Sequence, residues 1–558
     1  MPSQPNQPPE YPLLHFIMAG VAFAGTYWLF ENQTVNTQWF GVAALVTSFM
    51  GLVWLVRGFQ ALLAHAQLRR INREIKEPST AHGSARWGTA RDAKRAGMLG
   101  RGYFELGTIE GKRMAKNGEG ASVVISPPGG GKTSRLVINQ LTQEQYDEHG
   151  QPMSIVCLDP TAEIQCVASP FQRSLKRKQI SLVSHAARLS DELGVEITDC
   201  GFNPYTILND AGEETKDLAF QLAHTVQPDD PKASGSSKFF NTAAQRFHMF
   251  LNLYMTLRGN PSPAEARRLC MSSAEGWDLI FAEAMVSDAF GGTLRELAVR
   301  LNDTRASENE WSGMVNTAIQ SLECFDDFGP IGRSVSVQGG FDFATLKTGA
   351  AKTVYVTLPA EYASSHGVWL NLVLTAAIEQ MSRIRTNRKV LLLLDEFAST
   401  GLAMPSIFKC VALGRKLGLV PIIYLQSYEQ LRAIYGDSRA RELLAMCEMV
   451  VGLGVRDRET CKMLADLAGS KTAHQTSHSV RPDGFGNRSG PDYSTSTSQH
   501  GQRLILPEQV RELPENKALV FYKNSPPFKV MTTPYFRNPR LRRRAAPNPY
   551  YRKPSKGG

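Results

Sequence analysis

The sequence predicts an α/β P-loop NTPase: a parallel sheet covered by helices, interrupted by an inserted all-α domain and preceded by a two-helix transmembrane anchor. Three observations carry this. A glycine-rich stretch ending in Lys-Thr lies between an apolar run and a helix-like one. Apolar runs ending in acidic residues recur with helical segments between them, and two stretches without charge open the chain.

In chain order, residues 11–30 and 39–56 contain no Asp, Glu, Lys or Arg, and each is long enough to cross a hydrocarbon core of about 30 Å as a helix. Residues 31–38 between them hold no Lys or Arg, whereas Arg57, Arg69, Arg70, Arg73 and Lys76 follow, so both ends of the hairpin are expected in the cytoplasm. Ala22-Phe23-Ala24 resembles a signal-peptide cleavage site, but the absence of basic residues in 1–10 favours a retained anchor. The remainder, with 42% hydrophobic residues in 558, can bury a large core. Eight cysteines without Cys-x-x-Cys or zinc spacing read as reduced, packed thiols. The net charge of +10 permits a polyanionic partner without requiring one.

The apolar run Ala121-Ser122-Val123-Val124-Ile125 leads into Ser126-Pro127-Pro128-Gly129-Gly130-Gly131-Lys132-Thr133, and a helical pattern follows. In such a loop, small residues let successive backbone N–H groups face phosphates at a helix N-terminus. Lys132 would reach the β/γ-phosphates of ATP and the Thr133 hydroxyl would ligate Mg²⁺. Ser126 stands where the pattern asks for its first glycine. A second buried strand is expected within 154–160, the stretch that holds Asp159. From about 208 to 347 helical periodicity replaces the β signal, as in Phe240, Ala243, Phe247 and Tyr254, and marks the all-α insertion.

Strand signals resume at 353–359, 390–396 and 419–426. Asp395 and Glu396 close an apolar run, so that one carboxylate can hold Mg²⁺ with Thr133 while its neighbour polarises the attacking water. Gln426 stands at the C-terminal end of the next strand, where it is either a γ-phosphate contact or an ordinary polar strand end. Arg415 is either an exposed helix arginine or an arginine finger for a neighbouring subunit. Residues 474–503, rich in Ser, Thr and Gly, are expected to form a flexible surface loop. Residues 537–558 carry eight Lys/Arg and no acid, and read as a disordered tail, either simply solvated or recruiting nucleic acid or anionic lipid. No Leu-Ser-Gly-Gly-Gln signature supports an ABC transporter ATPase, and the tail is too short for the winged-helix reader of a chromosome-segregation motor.

Taken together, these motifs resemble the type IV secretion coupling proteins, the TraG/TraD-like conjugation ATPases. The resemblance rests on His82-Gly83-Ser84-Ala85-Arg86-Trp87 and the P-loop; on Asp159-Pro160-Thr161-Ala162-Glu163, Phe202-Asn203-Pro204 and Leu394-Asp395-Glu396-Phe397; and on Gln426, Pro507-Glu508-Gln509-Val510 and Pro526-Pro527. Thr161 replaces the family's usual lysine. The resemblance implies a RecA-like nucleotide-binding domain over 61–207 and 348–536, the all-α domain at 208–347, the membrane hairpin within 1–60, and a homo-hexamer. It places Arg415 and Gln426 at the arginine-finger and glutamine positions. It implies an ATPase in the bacterial inner membrane, its bulk in the cytoplasm, that delivers relaxase-bound single-stranded DNA to a type IV secretion channel. A docking receptor for effector proteins is the alternative.

Overall fold

The computed structural model describes residues 12–31, 37–76, 82–229, 234–337, 340–481 and 492–551. They fall into two units, Met1–Ala85 with Gly469–Leu504, and Arg86–Ala468 with Ile505–Gly558.

The first unit contains helices α1 (Pro12–Glu31) and α2 (Thr37–Lys76). α2 continues well past the end expected at 56, because residues 57–76 are mostly strong helix formers without proline. The two helices pack closely: Thr26 Oγ1 donates to Thr47 Oγ1 at 2.8 Å, and a Cβ on Gly51 would lie 3.0 Å from the Phe23 ring. Outward, Leu13, Leu45 and Phe49 are exposed. Both helices are long and apolar enough to cross a membrane.

The expected loop at 474–503 is instead largely a β-ribbon. Strands Ser470–Arg481 and Asp492–Arg503 pair antiparallel throughout, and residues 482–491 lie outside the described residues. A two-stranded ribbon forms its ladder through backbone groups, and alternating Ser/Thr satisfies strand propensity without the apolar face by which sequence reading finds strands. The ribbon pairs with Gly83–Ala85: Thr472 N–H donates to Gly83 O and Ala85 N–H to Ser470 O. Gly83 has φ +141°, and a Cβ there would sit 2.2 Å from Ser470 O, so only glycine fits.

The second unit is built on an eleven-stranded sheet. In chain order its strands are β1 (Phe104–Ile109), β2 (Lys112–Lys116), β3 (Ser122–Ile125), β4 (Ser154–Leu158), β5 (Lys178–Val183), β6 (Lys352–Thr357), β7 (Val390–Leu394), β8 (Leu419–Leu425), β9 (Met449–Leu453), β10 (Lys517–Tyr522) and β11 (Phe528–Met531). Across the sheet the order is β2-β1-β11-β10-β9-β3-β8-β7-β4-β6-β5. The run from β9 to β5 is parallel, and β10, β11, β1 and β2 extend it antiparallel.

Strands β3, β4, β7 and β8 are buried along their whole length, which is why they read as continuous apolar runs. Val123, Val156, Leu392 and Ile423 share one core with the helices between β5 and β6, including Phe247, Trp277 and Phe281. Val124, Cys157, Leu393 and Tyr424 face the other side, against Leu136, Val137 and Ile138 of the helix after the P-loop.

Between β5 and β6 the described residues are helical wherever they are regular. The helices Thr215–Val226, Gly235–Leu257 and Glu308–Leu322 pack together, with Trp311 set edge-on to Phe247 and Trp277. They belong to the same compact unit as the sheet and share its core.

Residues 537–551 are not a disordered tail. A short helix, Pro539–Arg544, starts on an Asn538 cap, and Leu541 is buried in the core beneath it. Two of its arginines are held: Arg540 lies 3.7 Å from Glu144, and Arg544 lies 4.4 Å over the Phe171 ring, donates to Thr142 O and pairs with Glu144 at 2.8 Å. The acids that fix these cations come from distant parts of the chain, so the local charge run gave no sign of them. Residues 552–558 of the expected tail lie outside the described residues.

Candidate functional site

Parallel strands present their carboxyl ends along one edge, and the order of β3, β8, β7 and β4 decides which motifs meet there. β3 delivers the P-loop, β8 Gln426, β7 Asp395-Glu396 and β4 Asp159. Residues 262 positions apart thereby become neighbours: Thr133 Oγ1 donates to Asp395 Oδ2 at 3.3 Å. Lys132 Nζ donates to Glu396 Oε1 at 2.9 Å and lies 3.4 Å from Asp395 Oδ1, an ion-pair distance without hydrogen-bond alignment.

The loop itself is shaped by its glycines. Gly129 and Gly131 have φ +75° and +88°, and a Cβ on Gly130 would meet Ser126 Oγ at 2.4 Å. Ser126, the departure from the usual first glycine, has no positive φ, and its N–H donates to Leu425 O at 2.9 Å. A serine therefore fits its backbone, provided position 130 stays glycine. After the loop the helix opens with a wide turn in which Ile138 N–H bonds to Thr133 O. Glu396 adopts φ +52°, a left-handed conformation that costs a non-glycine residue about 1 kcal/mol.

Two carboxyls at this edge are strongly perturbed. Burial pushes Asp395 up to about 6 against the pull of Lys132, and the neighbouring Glu396 adds to the rise. Burial pushes Asp159 to about 7; backbone amides of Gln165 and Ile164 oppose this, and the charges of Asp395 and Glu163 reinforce it. Asp159 Oδ2 accepts from Gln165 N–H at 2.7 Å, while Oδ1 is buried without a partner. Asp159 was visible in the sequence only as part of a motif. Its independent signal is the one Asp395 gives, an acid closing an apolar run, and the pairing of Leu158 with Leu394 explains why the two lie side by side.

A cavity of about 920 Å³ opens on the loop, lined on this side by Pro127, Lys132, Thr133, Glu163 and Glu396. A lysine, a hydroxyl and two carboxylates below a glycine loop can bind polyphosphate and a divalent cation together. The Thr133 hydroxyl and the under-satisfied Asp395 carboxylate fit Mg²⁺, which takes few protein oxygens and keeps several waters.

The family model described as Type IV secretory system Conjugative DNA transfer matches residues 64–556. The chain belongs to this family. The type IV secretion system-coupling protein VirD4 of Bartonella quintana (strain Toulouse) is 22% identical over 69% of this chain and 59% of its own length. VirD4 of Rhizobium radiobacter is 24% identical over 83% of this chain and 65% of its own. The chain thus spans less than two thirds of these relatives' lengths. Plasmid coupling protein TrwB, solved in complex with ADP and Mg²⁺, shares the fold, with TM-score 0.56 and 16% identity over 80% of this chain and 93% of TrwB. The expected RecA-like fold is borne out.

In this coupling-family chain, Gln426 follows β8 directly between the P-loop strand and the Asp395 strand, with its N–H donating to Gln430 Oε1 at 3.2 Å. Arg415 is elsewhere. It lies in the last turn of the helix Pro405–Leu417, just before β8 begins, and pairs with Glu119, which precedes β3. That is the amino edge of the parallel strands, opposite the P-loop, so Arg415 does not enter its own chain's site. Phe202 and Asn203 are structural: Phe202 packs edge-on to Phe343, and Asn203 caps a short helix and donates to Pro261 O.

Proposed function

We propose that this chain is an ATPase, anchored in the bacterial inner membrane, that recruits relaxase-bound single-stranded DNA and delivers it to a type IV secretion channel. The observation that carries the reading is the meeting of Lys132, Thr133, Asp395 and Glu396 at the carboxyl edge of the parallel strands in a conjugative DNA transfer family member. The apolar outer faces of α1 and α2 support the anchor, since lipid would cover side chains that are otherwise in water.

In this reading Lys132 exchanges its carboxylate partners for the β/γ-phosphates of ATP. That exchange frees Glu396 to orient and deprotonate the attacking water. Thr133 and Asp395 hold Mg²⁺, which when bound supplies neutralising charge at the phosphates. Gln426 contacts the γ-phosphate or its water. Arg415 serves a neighbouring subunit's site in a homo-hexamer, a role supported by its 75% exposure and its distance from its own P-loop. DNA would be tracked through its backbone, which makes binding sequence-tolerant and salt-sensitive.

The experiment is crosslinking in living cells with Lys132→Ala, followed by sequencing of the captured nucleic acid and peptides. Single-stranded DNA with a relaxase supports the proposal. Effector proteins without DNA would replace it by a docking receptor for protein cargo. Continued transport by Lys132→Ala at the wild-type rate would refute the motor.

A further inference from the structure

The cavity above the P-loop has a second wall, made by the end of the chain: Tyr535, Phe536, Arg542, Asn548 and Tyr551. This segment is tied down on both sides of the site. Toward the P-loop helix, Arg135 donates to Thr532 O at 3.3 Å and Asn139 to Thr533 O at 2.8 Å. Toward the turn after β4 and the helix Glu163–Ser174, Ala546 N–H donates to Val167 O at 2.9 Å, Asn548 Nδ2 to Glu163 Oε1 at 2.6 Å, and Tyr550 OH to Thr161 O at 2.8 Å. The Arg544 contacts complete the clamp.

The two walls differ in chemistry. The loop wall offers a cation, a hydroxyl, carboxylates and backbone amides, all suited to phosphate and metal. The facing wall offers aromatic rings: Phe536 is 49% exposed, held edge-on by the mostly buried Tyr535 at 5.4 Å, and Tyr551 is 82% exposed. A volume of about 920 Å³ exceeds what a polyphosphate alone would fill and lies within the range of pockets that enclose a whole small ligand.

We infer that residues 535–551 form the nucleoside half of the nucleotide site, in the same chain as the P-loop, with Phe536 and Tyr551 presenting ring faces to the base and Arg542 a cation at the cavity rim. The inference rests on the proposed nucleotide-binding function. Ring faces bind any purine, so ATP and GTP should bind with similar affinity. The basic terminal run is then part of the ligand site, with Arg544 fastening the segment and Arg542 facing the cavity.

The test uses the full chain in detergent, with binding of Mg-ADP and of Mg-tripolyphosphate measured by titration calorimetry. Phe536→Ala with Tyr551→Ala should weaken ADP about tenfold or more and leave tripolyphosphate unchanged, because stacking acts on the base alone. The conservative pair Phe536→Tyr and Tyr551→Phe should restore ADP affinity. Both rings are partly in solvent, so unfolding temperatures of the variants should match wild type. If wild type binds neither ligand, the nucleotide-site reading fails and the inference with it. If wild type binds both and the double variant binds ADP equally well, the inference alone is overturned. Equal losses for ADP and tripolyphosphate would also overturn it, since the segment would then act by propping the P-loop.

Discussion

Replacing Asp159 by asparagine should stabilise the ligand-free protein at pH 8 and leave it little changed near pH 4. Asp159 is fully buried beside Asp395, and its folded-state pKa of about 7 stands above the usual 3.8. A raised carboxyl pKa means the folded chain holds a proton that the unfolded chain has already released. The associated stability is therefore complete below about 3.8 and is lost as pH rises through about 7. At pH 8 the ionised carboxylate costs up to about 4 kcal/mol relative to a neutral group of the same shape. Asparagine keeps an acceptor for Gln165 N–H and places an amide donor near the Asp395 carboxylate, and the charge assistance it gives up is already contained in the net shift. The expected gain at pH 8 is therefore up to about 4 kcal/mol. Thermal unfolding of wild type and variant at pH 5, 6, 7 and 8 reads it as an advantage in melting temperature that grows with pH. Because other groups titrate over the same range, only the difference between the two proteins at each pH counts. A constant difference, or a variant less stable at pH 8, would refute the account of this buried pair.

Glu396→Gln should retain ADP binding while lowering ATP turnover by about 10²–10⁴, and near-wild-type turnover would remove Glu396 as the base. Gly88→Ala should lower stability by about 2 kcal/mol, because its Cβ would lie 2.4 Å from the Phe528 ring while Gly88 N–H is held by Pro527 O; an unchanged unfolding temperature would show that the ring moves freely. Arg415→Ala should leave monomer stability within about 1 kcal/mol, as its partner Glu119 forms a surface pair. The same change should depress turnover about 10³-fold and poison mixed assemblies with wild type; losses that simply scale with the mutant fraction would exclude a role across subunits.

The sequence by itself determined the P-loop, the acid pair at 395–396, the two apolar helices and the helical character of the insertion. Each is written in local order: consecutive small residues, an unbroken apolar run, or a 3.6-residue period. The ribbon at 470–503 was hidden because its ladder uses backbone groups common to every residue, and its sequence carries no alternating apolar pattern. Tertiary structure alone decided the rest. Strand order set Thr133 and Asp159 each beside Asp395, since neighbours in a parallel sheet are chosen by crossovers that local pattern does not encode. It also turned the arginine-rich end of the chain from an expected free tail into a wall of the cavity. The acids and carbonyls that hold it, Glu144, Glu163, Thr142 and Thr161, lie some 400 residues upstream, and only folding brings them within hydrogen-bond reach.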